Sequence, residues 1–285
     1  MSKTASIRAG KRKQRMKDLI GLFISGIVLV PFLLVAVNSM KSKRNANLLQ
    51  LSFKGISWEQ AWDNYAEVFR TARIPSSFLN SMIATVGGSF LVLIVSSLAA
   101  FVIVRRKSRF SSFLNNAIII GLTLPLSMVS VYFMLGKMRL TTGNGAIIGA
   151  ILVYAASLFP FTFFIYTGFI KGITSEIDEA AVIDGAGAYT VFFKIIFPLL
   201  KPVTVTALMN AVMSIWNDFG ISLYLLNNPK RTTAVLTTYL FIGQKASEWQ
   251  LLFADVVIVS LPVIVLYLFM QKYIVAGLSD GAVKG

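Results

Sequence analysis

The sequence predicts an all-α, polytopic membrane bundle, on the evidence of its composition and its long apolar runs. Of 285 residues, 56% are hydrophobic and only 14% are charged, which leaves too few polar residues to cover a soluble domain. Six runs are long enough to cross a bilayer, which takes about 20 apolar residues, and backbone groups in lipid must bond within their own segment. Each run is therefore predicted to be a helix. The six predicted spans are Leu19–Val37, Leu79–Val104, Phe113–Leu135, Gly145–Ile170, Pro202–Leu226 and Leu251–Met270.

The distribution of basic residues predicts that both termini lie on the cytoplasmic side. Six spans place both ends of the chain on one side of the membrane, and 16 of the 27 Lys and Arg residues fall in segments that this orientation places inside. Basic residues are enriched in cytoplasmic loops. Residues 1–18 are predicted to form a basic cytoplasmic tail, disordered or lying against anionic lipid headgroups, and residues 19–285 to form the membrane domain.

Missing residue types and motifs exclude several classes of function. The chain has no Cys and no His, which removes disulfides, thiolate nucleophiles, the commonest metal ligand and the usual proton shuttle. No metal site and no enzymatic activity are therefore predicted. The formal net charge of +15 is interpreted as a topology signal, so no nucleic-acid partner is expected. The phosphate-binding pattern G-x-x-x-x-G-K-[ST] does not occur, and energy from ATP would have to come from another chain.

The outer loop between the first two spans is predicted to contain an amphipathic helix. Ser57 and Gln60 have the spacing of a capping box, which marks a helix start. Trp58, Trp62, Tyr65 and Phe69 then recur on one face. Two interpretations stay open: an interfacial helix that anchors the bundle, or a helix that shapes an entrance. Further along, Gly145 and Gly149 form a G-x-x-x-G pattern that predicts close packing within or between chains.

The segment between spans four and five, residues 171–201, is predicted to be a helix, a turn and a second helix. Ser175 is expected to cap the first helix with its hydroxyl, and acidic residues follow at the positive end of the helix dipole. Ile177, Ala180, Ala181 and Asp184 recur at helical spacing. Gly185 then supplies a residue able to adopt positive φ and end the helix.

Three stretches of the sequence share residues with a known family: Glu179-Ala180-Ala181, Gly185, Ile195, Phe197 and Pro198 in this segment, the Trp216-Asn217-Asp218-Phe219 run, and the closing segment Gly277–Gly285. With these residues the chain resembles the binding-protein-dependent ABC importer permeases, and the segment resembles their coupling loop. The resemblance extends over the whole chain and is strongest to the carbohydrate, maltose-type (MalG-like) branch. The family usually has Leu where Phe197 stands, a conservative departure.

The resemblance implies a type I ABC importer permease fold in a bacterial inner or plasma membrane. It implies that the chain binds no cofactor, that ATP-Mg is held by two partner ATPase subunits, and that a second homologous permease and an extracellular sugar-binding protein complete the complex. The cargo would be a sugar, a di- or oligosaccharide. The implied ATPase-coupling residues are Glu179, Ala180, Ala181, Asp184 and Gly185, and the implied ATPase-contacting tail, within the cytoplasmic segment 271–285, is Gly281, Ala282, Val283, Lys284 and Gly285.

A polar stripe on span five is the predicted substrate pathway. Polar groups at this depth should face protein or water, and sugars suit amides and carboxylates beside an aromatic ring. Such residues also serve to bond neighbouring helices. In an alternative class, an ion-coupled secondary transporter or channel, Asp218 and Asp255 would bind protons or sodium. The stripe begins at Thr206, and its predicted pathway residues are Asn210, Ser214, Trp216, Asn217 and Asp218.

Overall fold

The computed structural model describes residues 2–242 and 248–282, and this part of the chain is nearly all helical. It contains no β-strand, and one isolated bridge joins Lys41 and Ile56. The α-helices are α1 (Ser2–Ser39), α2 (Lys43–Ala46), α3 (Trp58–Thr71), α4 (Ile74–Arg105), α5 (Arg109–Ile120), α6 (Met128–Lys137), α7 (Gly145–Lys171), α8 (Glu176–Ile183), α9 (Ala188–Thr190), α10 (Phe197–Leu199), α11 (Lys201–Trp216), α12 (Gly220–Leu225) and α13 (Trp249–Ala282). Two 3₁₀ segments, Gly121–Thr123 and Val235–Phe241, and a π-helix, Val191–Ile196, join them.

Among the described residues, four helices are long and apolar enough to cross a membrane by themselves. They are Met16–Ser39, Ile74–Arg105, Gly145–Lys171 and Trp249–Phe269. Two further helix pairs qualify when each bent pair counts as one span. The prediction of an all-α bundle is confirmed, and six spans result when both bent pairs are included.

The third predicted span is broken. Helix α5 with its 3₁₀ extension and helix α6 meet at an angle of 117°. Leu124 at the break is extended, with φ −84° and ψ 123°. Pro125 explains this, because a proline disfavours helical geometry in the residue before it and has no N–H to donate. Hydropathy alone did not locate this break.

The fifth predicted span is shorter than expected. Helix α11 ends at Trp216, and α12 begins at Gly220, so Asn217, Asp218 and Phe219 interrupt the run predicted to reach Leu226. At the N-terminus, the backbone of residues 2–18 continues helix α1, and their place as a basic cytoplasmic tail stays a prediction.

The chain divides into two compact units, of which the first comprises residues up to Ala72 with Thr238–Ile258. In this unit Ser57 caps α3 by accepting a hydrogen bond from the Gln60 amide at 3.4 Å, as predicted. The buried Asn64 side chain donates to the carbonyls of Ser39 and Lys41 at 2.8 and 2.9 Å. Trp58 and Trp62 lie 81% and 76% exposed. Both tryptophans of the aromatic stripe therefore face outward, which suits either interpretation of this helix.

The second unit comprises Arg73–Thr237 and Val259–Gly285, and its core lies where α4, α7 and α11 pack together. Small residues allow the close approach, because a Cβ at Gly88 would lie 2.8 Å from the Ile215 side chain. The Gly145 and Gly149 pattern packs within the chain, where a Cβ on either glycine would overlap the backbone of Arg139 or Leu140. This arrangement fixes α11 and the segment that precedes it, where the candidate functional residues lie.

Candidate functional site

Helix α8 is the first part of the candidate site, and backbone bonds start it. Ser175 takes the N-cap position with helical φ and ψ, and its hydroxyl makes no capping bond, contrary to the prediction. Its carbonyl accepts from the amides of Asp178 and Glu179, both at 3.0 Å. Glu176, Asp178 and Glu179 lie in the first turn, as predicted, where the helix dipole favours negative charge.

Gly185 ends α8 as the sequence predicted. Its φ is +84°, a backbone conformation that residues with a Cβ rarely adopt. The Ala186 amide donates to the Ala181 carbonyl at 2.9 Å, and the Gly185 amide donates to the Val182 carbonyl at 3.0 Å. These two bonds form a Schellman motif, which satisfies carbonyls that the helix end would otherwise leave open.

The two alanines of the motif lie on different faces of α8. Ala181 is only 7% exposed and belongs to the core that includes Val191 and Ile196. The resemblance implied that both alanines are ATPase-coupling residues; Ala181 packs inside its own chain, whereas Ala180 is exposed. Glu179 and Asp184 are also exposed, and Ile183 is 86% exposed. An outward face that carries both charge and apolar surface is suited to contact another protein.

An ion pair that the sequence did not reveal holds α8 to the end of α4. The Arg105 guanidinium pairs with the Asp178 carboxylate, and both side chains are largely buried. Arg105 also donates to the carbonyls of Ile173 and Thr174 at 3.0 and 3.4 Å. From the sequence, Arg105 was only one of the 16 basic residues on the predicted cytoplasmic side. An arginine at the end of one span and an aspartate in a distant loop give no local sign that they meet.

The segment Ala188–Leu199, called the return segment below, connects α8 to α11 and contains the π-helix Val191–Ile196. The sequence predicted an ordinary helix here, and short π segments are frequent at functional positions. Phe192 is buried and contacts three aromatic rings, those of Phe101, Phe193 and Phe197, at centroid distances of 5.3, 4.9 and 5.8 Å. The return segment and α11 meet at 77°. The loop is thus packed against the core where it enters α11.

The polar stripe of α11 forms one exposed face. Thr206, Asn210, Ser214 and Asn217 are all exposed, and Ala207, Ala211 and Ile215 on the adjoining face are buried. Between residues 202 and 217 the helix carries no charged residue. Because polar groups at this depth avoid lipid, the stripe needs a partner subunit or water against it.

Asp218 has a structural role in addition to any role in a pathway. One carboxylate oxygen accepts from the Tyr154 hydroxyl at 2.9 Å and from the Ser222 amide at 3.0 Å. The Tyr154 and Ser222 hydroxyls are themselves 2.9 Å apart. Asp218 therefore fixes the start of α12 and joins it to α7. It lies half-buried beside the exposed stripe.

Trp216 does not share the exposed face. Its side chain is 8% exposed and packs edge-on against Phe78 at a centroid distance of 5.7 Å. Its indole nitrogen donates to the Val259 carbonyl at 3.4 Å. The prediction that Trp216 lies beside a sugar in the stripe is therefore corrected, because this ring belongs to the core of its own unit.

The predicted C-terminal tail and Asp255 are the remaining residues singled out from the sequence. Gly281 and Ala282 end helix α13, and Val283, Lys284 and Gly285 lie outside the described residues. Their contact with an ATPase stays a prediction. Asp255 is fully buried. In the part of the chain that the structure describes, no cluster of three acidic, His or Cys side chains suited to a metal ion occurs.

Comparison with known proteins decides the family. Residues 92–280 match the model described as "Binding-protein-dependent transport system inner membrane component". The chain belongs to this family. The matched region contains the Glu179 loop, α11 and α12. The chain is thus the multi-pass membrane component of a transport system, and it is not an enzyme.

Full-length relatives agree with this assignment. The melibiose/raffinose/stachyose import permease protein MelC of Bacillus subtilis is 34% identical over 98% of this chain and 100% of its own length. The multiple sugar-binding transport system permease protein MsmG of Streptococcus mutans is 32% identical over 92% and 95%. A bacterial ABC transporter involved in alginate import has a chain that matches the fold with a TM-score of 0.75, 20% identity and coverage of 92% and 98%. These matches do not favour the ion-coupled alternative built on Asp218 and Asp255.

Proposed function

We propose that this permease imports a neutral di- or oligosaccharide, delivered by an extracellular binding protein and driven by ATP hydrolysis in partner subunits. The observation that carries the proposal is the uncharged polar stripe of α11, exposed along a helix that forms part of a bent candidate membrane span. Hydroxyl and amide groups pair with sugar hydroxyls and provide no counter-charge for an ion. The sugar-import names of MelC and MsmG support this class of cargo.

The stripe also supports a second permease subunit in the complex. Asn210, Ser214 and Asn217 are exposed among the residues that the structure describes, so a homologous partner facing them would enclose a polar pathway between two chains. We assign Asp218 the role of holding the outer end of this face in place through Tyr154 and Ser222.

In this proposal α8 couples the pathway to the ATPase subunits, which bind the ATP-Mg. Glu179 would pair with a basic side chain across the contact, and the exposed Ile183 would add apolar area. Because Ala181 and the ion pair of Arg105 with Asp178 fix α8 to the core, a push on α8 would move α4 and α11 as well.

Uptake into proteoliposomes that contain the complete complex tests the proposal. Radiolabelled raffinose, loaded on the binding protein, should enter when ATP is enclosed and should continue to enter after ion gradients are collapsed. Uptake that needs the gradient and ignores ATP would overturn the coupling mechanism. Mass spectrometry of the complex purified in mild detergent should identify two ATPase copies and a second permease. A complex with two copies of this chain and no second permease would overturn the proposal of a homologous partner.

A further inference from the structure

A strongly basic cleft lies between the start of the coupling loop and the ends of α4 and α7. Its volume is about 730 Å³. Its lining comes from the end of α4, the turn into α5, the polar face of α5 and the first residues of the loop that leads to α8. The permease function described above uses none of its cations apart from Arg105.

The cleft carries four free positive charges. Arg106, Lys107, Arg109 and Lys171 line it, all four are exposed, and among the described residues none of them forms an ion pair. Arg105 is different because Asp178 neutralises it. Hydrogen-bond donors complete the lining: Ser108, Ser111, Ser112, Asn115 and Asn116. Cations together with hydroxyl and amide donors are the groups that bind a phosphate.

The position of the cleft points to a lipid as the source of that phosphate. Two membrane-crossing helices end at it, α4 at Arg105 and α7 at Lys171, so it lies at the level where a bilayer has its headgroups. Helix α5 is amphipathic at this point: Ser111 and Ser112 face the cleft, and Phe110 and Phe113 are 68% and 66% exposed. Exposed aromatic rings beside cations are typical of a helix that lies in the membrane interface.

We infer that this cleft binds the phosphate headgroup of an anionic phospholipid at the cytoplasmic membrane surface. The acyl chains then lie along the exposed apolar face of α5. Basic pockets between membrane helices on this side are suited to such headgroups. Because Thr174 and Ser175 line the same cleft, the bound lipid braces the base of α8.

Lipid titration followed by native mass spectrometry tests this inference on the intact detergent-purified complex. Phosphatidylglycerol should bind more tightly than phosphatidylcholine, and the preference should weaken as salt is raised. The double variant Lys107→Gln/Lys171→Gln should weaken phosphatidylglycerol binding about tenfold or more, since each Lys near the surface contributes about 1 kcal/mol. The matched control Lys54→Gln/Lys137→Gln removes two exposed lysines outside the cleft and should bind as wild type.

Several results would overturn the inference. Equal binding of phosphatidylglycerol and phosphatidylcholine by the wild-type complex would overturn it. An equal loss of phosphatidylglycerol binding in both double variants would also overturn it. Complete displacement of the lipid by millimolar inorganic phosphate would assign the cleft to a soluble phosphate. Loss of the ATPase subunits from the cleft variant, with unchanged lipid binding, would make the cleft a protein contact.

Discussion

The loop of residues 171–201 and the polar stripe of α11 adjoin each other in the chain but differ in how their outward faces are built. In the loop, backbone bonds, Gly185 and a buried ion pair fix α8, so its exposed face is held by this chain alone. In the stripe, Asn210 and Ser214 are exposed on a helix in the membrane, where only another subunit or water can satisfy them. The outward face of the loop is therefore built by this chain itself, whereas the stripe needs another subunit or water against it.

The largest effect is expected from reversing the charge of Glu179. Glu179→Lys should lower ATP-driven uptake about tenfold or more, because like charges at a contact cost several kcal/mol and each 1.4 kcal/mol is a factor of ten. Thermal unfolding of the permease in detergent should stay near wild type, because Glu179 is exposed and forms no ion pair within the described part of the chain. Uptake and ATP hydrolysis in proteoliposomes are the measurements.

Glu176→Lys is the matched control for this variant. Glu176 is also exposed in the first turn of α8, so its reversal changes the net charge by the same amount and weakens the interaction with the helix dipole in the same direction. Uptake should then fall far less than with Glu179→Lys. Equal losses would show that general charge near α8, and not a specific contact of Glu179, supports transport.

The ion pair between Arg105 and Asp178 should give the next largest effect. Asp178→Ala leaves the guanidinium largely buried without its partner and should destabilise the permease by about 2 kcal/mol, below the 3 to 5 kcal/mol typical of a fully buried pair, because both side chains keep some exposure. Thermal unfolding in detergent measures the loss. The double variant Arg105→Leu/Asp178→Ala should recover part of it. An unchanged unfolding temperature for Asp178→Ala would contradict the idea that this chain alone holds α8.

The residues that sequence reasoning placed correctly depend on local chemistry. Gly185 ends α8 and Ser57 caps α3 because each role needs only the residue and its neighbours along the chain. The Arg105 pair, the buried position of Ala181 and the hydrogen bond from Tyr154 to Asp218 depend on which helices meet, and no local pattern encodes this. Trp216 is a different case: helical spacing places it off the line of Asn210 and Ser214, and the prediction relied instead on its nearness along the sequence.

Truncation of Asn210 tests the stripe and should have an intermediate effect. Asn210→Ala removes an exposed amide, and a lost hydrogen bond of about 1 kcal/mol corresponds to roughly fivefold weaker sugar interaction. Uptake should fall while ATP hydrolysis by the complex continues, and unchanged uptake would remove Asn210 from the pathway. Trp216→Phe is the comparison, because it deletes the bond to the Val259 carbonyl in the core and should lower stability without changing the KM for uptake.

An effect of similar size is expected at Gly185, where a substitution tests backbone conformation without changing a side-chain contact. An added Cβ meets nothing within 4 Å at Gly185 or at Gly187, but only Gly185 has a positive φ, +84° against −74°. Gly185→Ala should therefore cost about 1 kcal/mol of stability through strain at the helix end, and Gly187→Ala should cost nothing or stabilise slightly by restricting the unfolded chain. Thermal unfolding of the two variants side by side measures the difference. Equal unfolding temperatures would mean that α8 ends without help from the left-handed glycine, and the loop would then depend on its packing and ion pair alone.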